Sequence, residues 1–81
     1  MPYIEEDERV AVQEHGIGTD SLPGHLAYAV TMMCKAYLGK QPRFFRFAAV
    51  IGVLVCVVLE LYRRVVAPYE DEKRHENGDV F

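Results

Sequence analysis

The feature that most constrains the fold is a run of thirteen residues without a charged side chain, Phe47 to Leu59. A helix that spans a bilayer needs about 20 apolar residues, whereas runs of roughly 10 to 14 are typical of a helix buried in protein. Arg43 and Arg46 precede the run, and Glu60 follows it directly. We therefore expect a helix that packs against protein, with no membrane insertion.

The chain is too short to cover this run by itself. It has 81 residues, of which 51% are hydrophobic, and domains of this size bury only about 60% of the surface of the unfolded chain. The two cysteines, Cys34 and Cys56, have neither zinc-finger spacing nor the number that a disulfide framework needs. We therefore expect a homo-oligomer, although the first helix and the N-terminal arm could instead provide the cover.

The predicted oligomer interface lies on the apolar run, where small side chains permit two helices to approach closely. It comprises Ala49, Gly52, Val53, Val55, Cys56 and Val58.

Capping signals define the first helix. Asp20-Ser21-Leu22-Pro23 supplies N-cap residues and a proline for the first turn, and apolar residues then recur at spacings of three and four. Gly39 stands where a left-handed cap ends a helix, and Pro42 prevents continuation. These signals predict a helix over residues 22–38.

The apolar run belongs to the second helix, which we predict over residues 43–67. Pro68 kinks or ends that helix because it lacks an amide proton, and a short helix follows over 69–76. The connection before residue 43 is short, so the two main helices should be antiparallel. The predicted fold is one all-α domain over residues 1–81, a two-helix antiparallel hairpin with a short kinked C-terminal helix, assembled as a homo-oligomer.

Charge is distributed unevenly along the chain. Residues 1–20 carry six acidic side chains and only Arg9 as a formal cation, which predicts an acidic arm with at most one short helical turn. Four cations and no acid lie between Lys35 and Arg46. The net charge of -3 argues against duplex nucleic acid as a partner but allows a small anionic ligand. Because the acidic start is unlike a secretory signal, we expect a cytoplasmic protein.

Arginines beside aromatic rings at both ends of the apolar helix suit a phosphorylated nucleotide. Guanidinium groups bind phosphate in two-point fashion, and rings stack on a base. The predicted ligand set is Arg43, Arg63 and Arg64 for phosphate, Tyr28, Tyr62 and Tyr69 for stacking or hydrogen bonding, and Asp71, Asn77 and Asp79 for ribose contacts or for ordering the tail. The alternative is that these arginines form surface ion pairs with Glu60, Glu70 and Glu72.

No motif points to catalysis or to a cofactor. Glu72 and His75 have the Glu-x-x-His spacing of di-iron helix bundles, but such a site needs a second copy of the motif and two more glutamates. Nucleophile motifs and phosphate-binding loops are absent from the sequence. We therefore predict a non-enzyme that has no metal and no cofactor.

The C-terminal half resembles the signature of a family of short, largely uncharacterised phage and bacterial proteins. Its most specific part is Tyr-Arg-Arg-Val-Val-Ala-Pro-Tyr-Glu-Asp-Glu-Lys-x-x-Glu-Asn-Gly-Asp-Val-Phe, residues 62–81. The opening Met-Pro-Tyr-Ile and the pattern of Pro23, Gly24, Leu26 and Tyr28 belong to the same resemblance. Relatives carry polar residues where this chain has Ala48, Ala49, Val55 and Val58, which argues against an activity centred on carboxylates.

Short phage proteins that are helical and oligomeric include sponges, which sequester cyclic nucleotide or ADP-ribose messengers of bacterial defence. The resemblance therefore implies a phage-type anti-defence protein that acts in the host cytoplasm. This implication is an analogy of size, helical fold and genome context, without a shared motif. Two alternatives stay open: an oligomeric interaction module without a small-molecule site, and a metal-dependent nucleotide hydrolase.

Overall fold

The computed structural model describes residues 1–81, and all of its regular structure is helical. Its elements are α1 (Glu6–His15), α2 (Pro23–Leu38), α3 (Phe44–Leu61), a π-helical segment (Tyr62–Val66) and α4 (Ala67–Asn77). The last three form one long, kinked helix, Phe44–Asn77. The all-α prediction is confirmed, whereas the antiparallel hairpin and the homo-oligomer stay predictions. The chain divides into an N-terminal unit, Met1–Arg46, and a C-terminal unit, Phe47–Phe81.

The region predicted as an acidic arm contains a ten-residue helix, α1. The backbone N–H of Glu5 donates to the Glu8 carboxylate at 3.0 Å, which satisfies a free amide at the helix N-terminus. Acidic side chains in the first turn also interact favourably with the positive end of the helix dipole. Gly16, at φ 74°, ends the helix. The acidic residues that suggested a solvated arm therefore stabilise a helix start.

α1 and α2 pack against each other around Tyr28. This tyrosine is the one buried residue of the chain, with 7% of its surface exposed. Gln13 of α1 donates its side-chain amide to the Tyr28 hydroxyl at 2.6 Å, and His25 of α2 bonds to Glu8 of α1 at 2.9 Å. Two side-chain hydrogen bonds, each between residues at least 15 positions apart in sequence, thus fix α1 on α2.

The first four residues also pack on α2. A Cβ atom added at Gly24 would lie 3.2 Å from the side chain of Ile4 and 3.4 Å from the carbonyl oxygen of Met1. Glycine at this position therefore lets the N-terminal segment run close to the start of α2, which places Pro2 and Tyr3 beside that helix.

The long helix continues through Pro68, where the sequence predicted a kink or an end. Pro68 has no amide proton for the carbonyl of Arg64, and its ring crowds that carbonyl. The preceding turn widens, so that the Ala67 N–H bonds to the Tyr62 carbonyl five residues earlier. The helix then runs to Asn77 and ends before Gly78, at φ 92°.

No residue of α3, of the π-helical segment or of α4 is buried. The single chain therefore leaves the apolar run uncovered. By length and composition, the helix Phe44–Asn77 is the one helix able to cross a membrane. Those two criteria are also met by helices that pack against protein, so they do not identify what covers this one.

Candidate functional site

Arg63 and Arg64 share one carboxylate on their own helix. A terminal nitrogen of Arg63 lies 2.8 Å and 3.1 Å from the two oxygens of Glu60, and Arg64 lies 3.9 Å from the first of them. Both arginines remain about two-thirds exposed, at 68% and 70%. Here the structure shows the surface pairing with Glu60 that the sequence offered as the alternative to phosphate binding.

Three other predicted ligand residues line a concavity of about 480 Å³ beside the C-terminal tail. Its charged and aromatic lining is Tyr62, Glu70, Asp71, Lys73, Arg74, Asp79 and Phe81. Three carboxylates outnumber two cations there, and one of those cations, Arg74, lies 3.5 Å from Asp71. This concavity is therefore poorly suited to an anion.

Local bonds occupy the polar groups of this tail. The Tyr62 hydroxyl donates to Glu70, and that bond raises the pKa of the phenol above its usual value of 10.0. The Phe81 amide donates to Asp79 at 2.8 Å. Lys73 lies over the ring of Tyr69 at 5.7 Å. Asn77 is the last residue of α4.

Tyr28 and Arg43, the remaining predicted ligand residues, belong to the N-terminal unit. Arg43 is exposed immediately before α3. Tyr28 lines a different concavity, which we call the N-terminal groove. Its volume is about 500 Å³, and its lining is Pro2, Tyr3, Arg9, Tyr28, Thr31, Met32 and Lys35. The groove thus has two cations and no acidic side chain.

Arg9 is held in position at the groove. Its Nε donates to the carbonyl oxygen of Ile4 at 3.1 Å, which leaves the two terminal nitrogens of the guanidinium available. Neither Arg9 nor Lys35 forms an ion pair with a carboxylate. A guanidinium that is already oriented loses less side-chain entropy when it binds an anion.

Aromatic and apolar side chains form the rest of the groove. Tyr28 is buried with its hydroxyl bonded to Gln13, whereas Tyr3 is 85% exposed. Thr31 donates its hydroxyl to the Ala27 carbonyl at 2.8 Å, so its side chain is already paired. The exposed ring of Tyr3 beside two free cations can stack on a planar ring whose substituent is anionic.

Sequence reasoning identified Tyr28 but missed Arg9 and Lys35 as partners in one groove. Tyr28, Thr31, Met32 and Lys35 have the spacing of a single helix face, a signal that could have been found. Arg9 gave no such signal, because its place depends on the packing of α1 against α2.

The residues predicted at the oligomer interface divide between two faces of α3. At 100° per residue, Ala49, Gly52, Val53 and Cys56 share the face of Arg46 and Glu60. Val55 and Val58 lie on the opposite face. Cys56 is an exposed free thiol and Cys34 is a half-buried one.

Metal-ligating side chains do not cluster. No group of three or more His, Cys, Asp or Glu side chains is arranged to hold a metal ion. The carboxylates nearest the Glu72 and His75 motif are instead used in ion pairs along α4, Lys73 with Glu76 at 3.2 Å and Arg74 with Asp71.

Residues 1–80 match the family model described as a domain of unknown function (DUF6899). Because the match covers nearly the whole chain, the protein belongs to this family. No curated protein and no solved structure matches the chain.

Proposed function

We propose that this member of the DUF6899 family binds a small phosphorylated ligand with a planar ring, and that it holds the ligand in the N-terminal groove without turnover. One observation carries the proposal: Arg9 and Lys35 are unpaired cations in a groove that has no carboxylate and presents the exposed ring of Tyr3. The ligand class is that of cyclic nucleotides and ADP-ribose derivatives.

Charge and volume support this ligand class. Arginine presents a planar fork that matches two phosphate oxygens, and lysine adds a point charge. The groove volume of about 500 Å³ lies within the roughly 300–1,000 Å³ of small-molecule sites. Compared with the predicted set of Arg63 and Arg64, the groove cations have the advantage that neither forms an ion pair with a carboxylate.

The groove lining supports the binding of an anion. Its polar side chains are two cations, two tyrosines and a threonine, with no carboxylate that would repel a phosphate. A protein that binds a signal nucleotide without hydrolysing it lowers the free concentration of that nucleotide. Sequestration of a defence messenger in the host cytoplasm is the role consistent with such binding and with the resemblance to phage proteins.

The experiment incubates the purified full chain with cyclic di-AMP, cyclic di-GMP or cyclic ADP-ribose, removes free nucleotide, and heats the protein to release what it retained. We expect at least one nucleotide to be recovered intact. A hydrogen bond to a charged group contributes about 1.5–3 kcal/mol. The double change R9Q and K35Q removes two such bonds and should therefore weaken calorimetric affinity by at least about 100-fold.

The matched control removes two cations elsewhere, R63A with R64A, and should bind as the wild type does. Failure to retain any of the three nucleotides would overturn the proposed ligand class. Loss of binding in the R63A and R64A protein, with full binding in the R9Q and K35Q protein, would overturn the assignment to the N-terminal groove.

A further inference from the structure

One wall of the N-terminal groove is formed by the N-terminal segment, Met1–Ile4. Pro2 and Tyr3 belong to this segment and line the groove. The Ile4 amide donates to the Pro2 carbonyl at 3.0 Å, so the segment turns back on itself beside α2. α1 begins only at Glu6, and the segment contains no helix. Contacts with α1 and α2 therefore hold this wall in place.

Arg9 provides the contact with α1. Its Nε donates to the Ile4 carbonyl at 3.1 Å, which leaves its terminal nitrogens available. The same guanidinium thus fixes the N-terminal segment and, in the proposed function, binds phosphate. If the Ile4 carbonyl moves, the guanidinium loses the bond that orients it before an anion binds. The position of the N-terminal segment therefore affects the affinity for an anion.

Gly24 provides the contact with α2. It lies one turn before Tyr28 on the helix face that also carries Lys35. A Cβ atom at this position would lie 3.2 Å from Cγ2 of Ile4, closer than the roughly 3.5–4.0 Å at which two carbon atoms attract most strongly. Isoleucine is β-branched and stiff at χ1, so this methyl group moves away only with the backbone of the segment. A side chain at position 24 would therefore push the N-terminal segment off α2.

The backbone of Gly24 does not itself require glycine. Positive φ angles occur at Gly16, Gly39 and Gly78 but not at Gly24. Within a helix glycine is less favourable than alanine, because it loses more conformational freedom on folding. Helix formation by α2 would therefore favour alanine at this position, and the close approach of Ile4 is the feature that requires glycine.

We propose that Gly24 is a positioning residue of the N-terminal groove. It leaves room for Ile4, whose carbonyl orients the guanidinium of Arg9. It also keeps the ring of Tyr3 beside the two cations, where a planar ligand can stack. This inference rests on the proposed function, because Gly24 acts on the ligand only through the groups that bind it.

Calorimetric titration of the full chain with cyclic di-AMP, cyclic di-GMP and cyclic ADP-ribose tests this role. The test variant is G24A and the matched control is G52A, because Gly52 also lies within a helix but has no atom within 4 Å of an added Cβ. We expect G24A to bind about tenfold more weakly than wild type, since Arg9 loses its orienting bond. Its melting temperature should not fall, because alanine strengthens α2. G52A should bind as the wild type does.

A second change that removes Cγ2 from position 4 should rescue the variant. I4A keeps the backbone carbonyl that accepts from Arg9, and the Met1 carbonyl oxygen, at 3.4 Å from the added Cβ, is at ordinary contact distance. G24A should therefore weaken binding much less in the I4A background than in the wild type. NMR gives a readout without nucleotide: solvent exchange of the Arg9 Nε–H should be faster in G24A than in the wild type, and slow again in G24A with I4A.

The outcomes separate this role from the proposed function. Equal affinity of G24A and wild type, or an equal loss in G52A, would overturn the role of Gly24 and leave the proposed function intact. Loss of helical circular dichroism in G24A, or no recovery in G24A with I4A, would also overturn it, by showing a folding defect or another obstructing residue. Failure of the wild type to bind any of the three nucleotides would overturn the proposed function, and this role in binding with it.

Discussion

At the scale of single residues, Glu8 joins the start of α1 to the start of α2. One carboxylate oxygen accepts the Glu5 amide, and the other bonds to Nε2 of His25. The Leu22 amide lies 3.2 Å from Nδ1 of His25 and donates to it, so the neutral ring carries its proton on Nε2, directed at Glu8. The bond with His25, followed by the bond with Glu5, lowers the pKa of Glu8 below its usual 4.5.

The stability of the N-terminal unit should therefore fall in acid. A carboxyl with a lowered pKa in the folded state stabilises the fold above its unfolded pKa, and this contribution is lost as pH falls through the folded value. We expect the melting temperature of the wild type, followed by circular dichroism, to drop below pH 4.5. The E8Q variant should be less stable than wild type at neutral pH and should show a flatter decline.

The matched control for this pH profile is E14Q, since Glu14 makes one exposed contact of 3.8 Å with its neighbour His15. It should follow the wild-type curve. Identical pH profiles for E8Q and wild type would show that the Glu8 bonds contribute nothing to the pairing of α1 and α2.

At the scale of elements, Pro68 determines where the long helix changes its hydrogen bonding. We expect P68A to restore an amide at this position, so that the Arg64 carbonyl gains a donor and the π-helical turn closes to an α-helical one. Proline in a helix interior costs about 3 kcal/mol. Part of that cost is already relieved by the wider turn, so protection of the α4 amides in hydrogen exchange should rise by about tenfold.

The control for that change is V65A, which alters the same turn at an exposed side chain but keeps Pro68. It should leave the carbon chemical shifts of the π-helical segment unchanged. If P68A shows no added protection in α4, the widened turn has another cause than the missing amide.

Some helix ends can be predicted from sequence signals that act over only a few residues. The start and end of α2 can be predicted from Pro23 and Gly39, because a proline in the first turn and a glycine at φ 75° act within a few residues. α1 escaped prediction because its acidic first turn resembles a solvated segment in composition. Pro68 predicted a kink or an end of the long helix. Whether the helix ends there or its preceding turn widens depends on the side chains that follow.

At the scale of the whole molecule, the candidate site was the hardest part to predict. Arg9 and Lys35 lie 26 positions apart in sequence and line one groove only because Gln13 and Glu8 fix α1 on α2. The aromatic and arginine pairs near Tyr62 were visible in the sequence, yet their own helix supplies the carboxylates that occupy them. Local sequence therefore decides that Arg63 and Arg64 are paired, whereas long-range packing decides that Arg9 and Lys35 line one groove.

The central proposal is that the N-terminal groove holds a signal nucleotide on Arg9 and Lys35. Native mass spectrometry of the full chain, after incubation with cyclic di-AMP, cyclic di-GMP or cyclic ADP-ribose, measures the mass of any bound nucleotide directly. We predict bound nucleotide for the wild type and for R63A with R64A, and none for R9Q with K35Q. A wild-type spectrum without nucleotide would contradict the proposal.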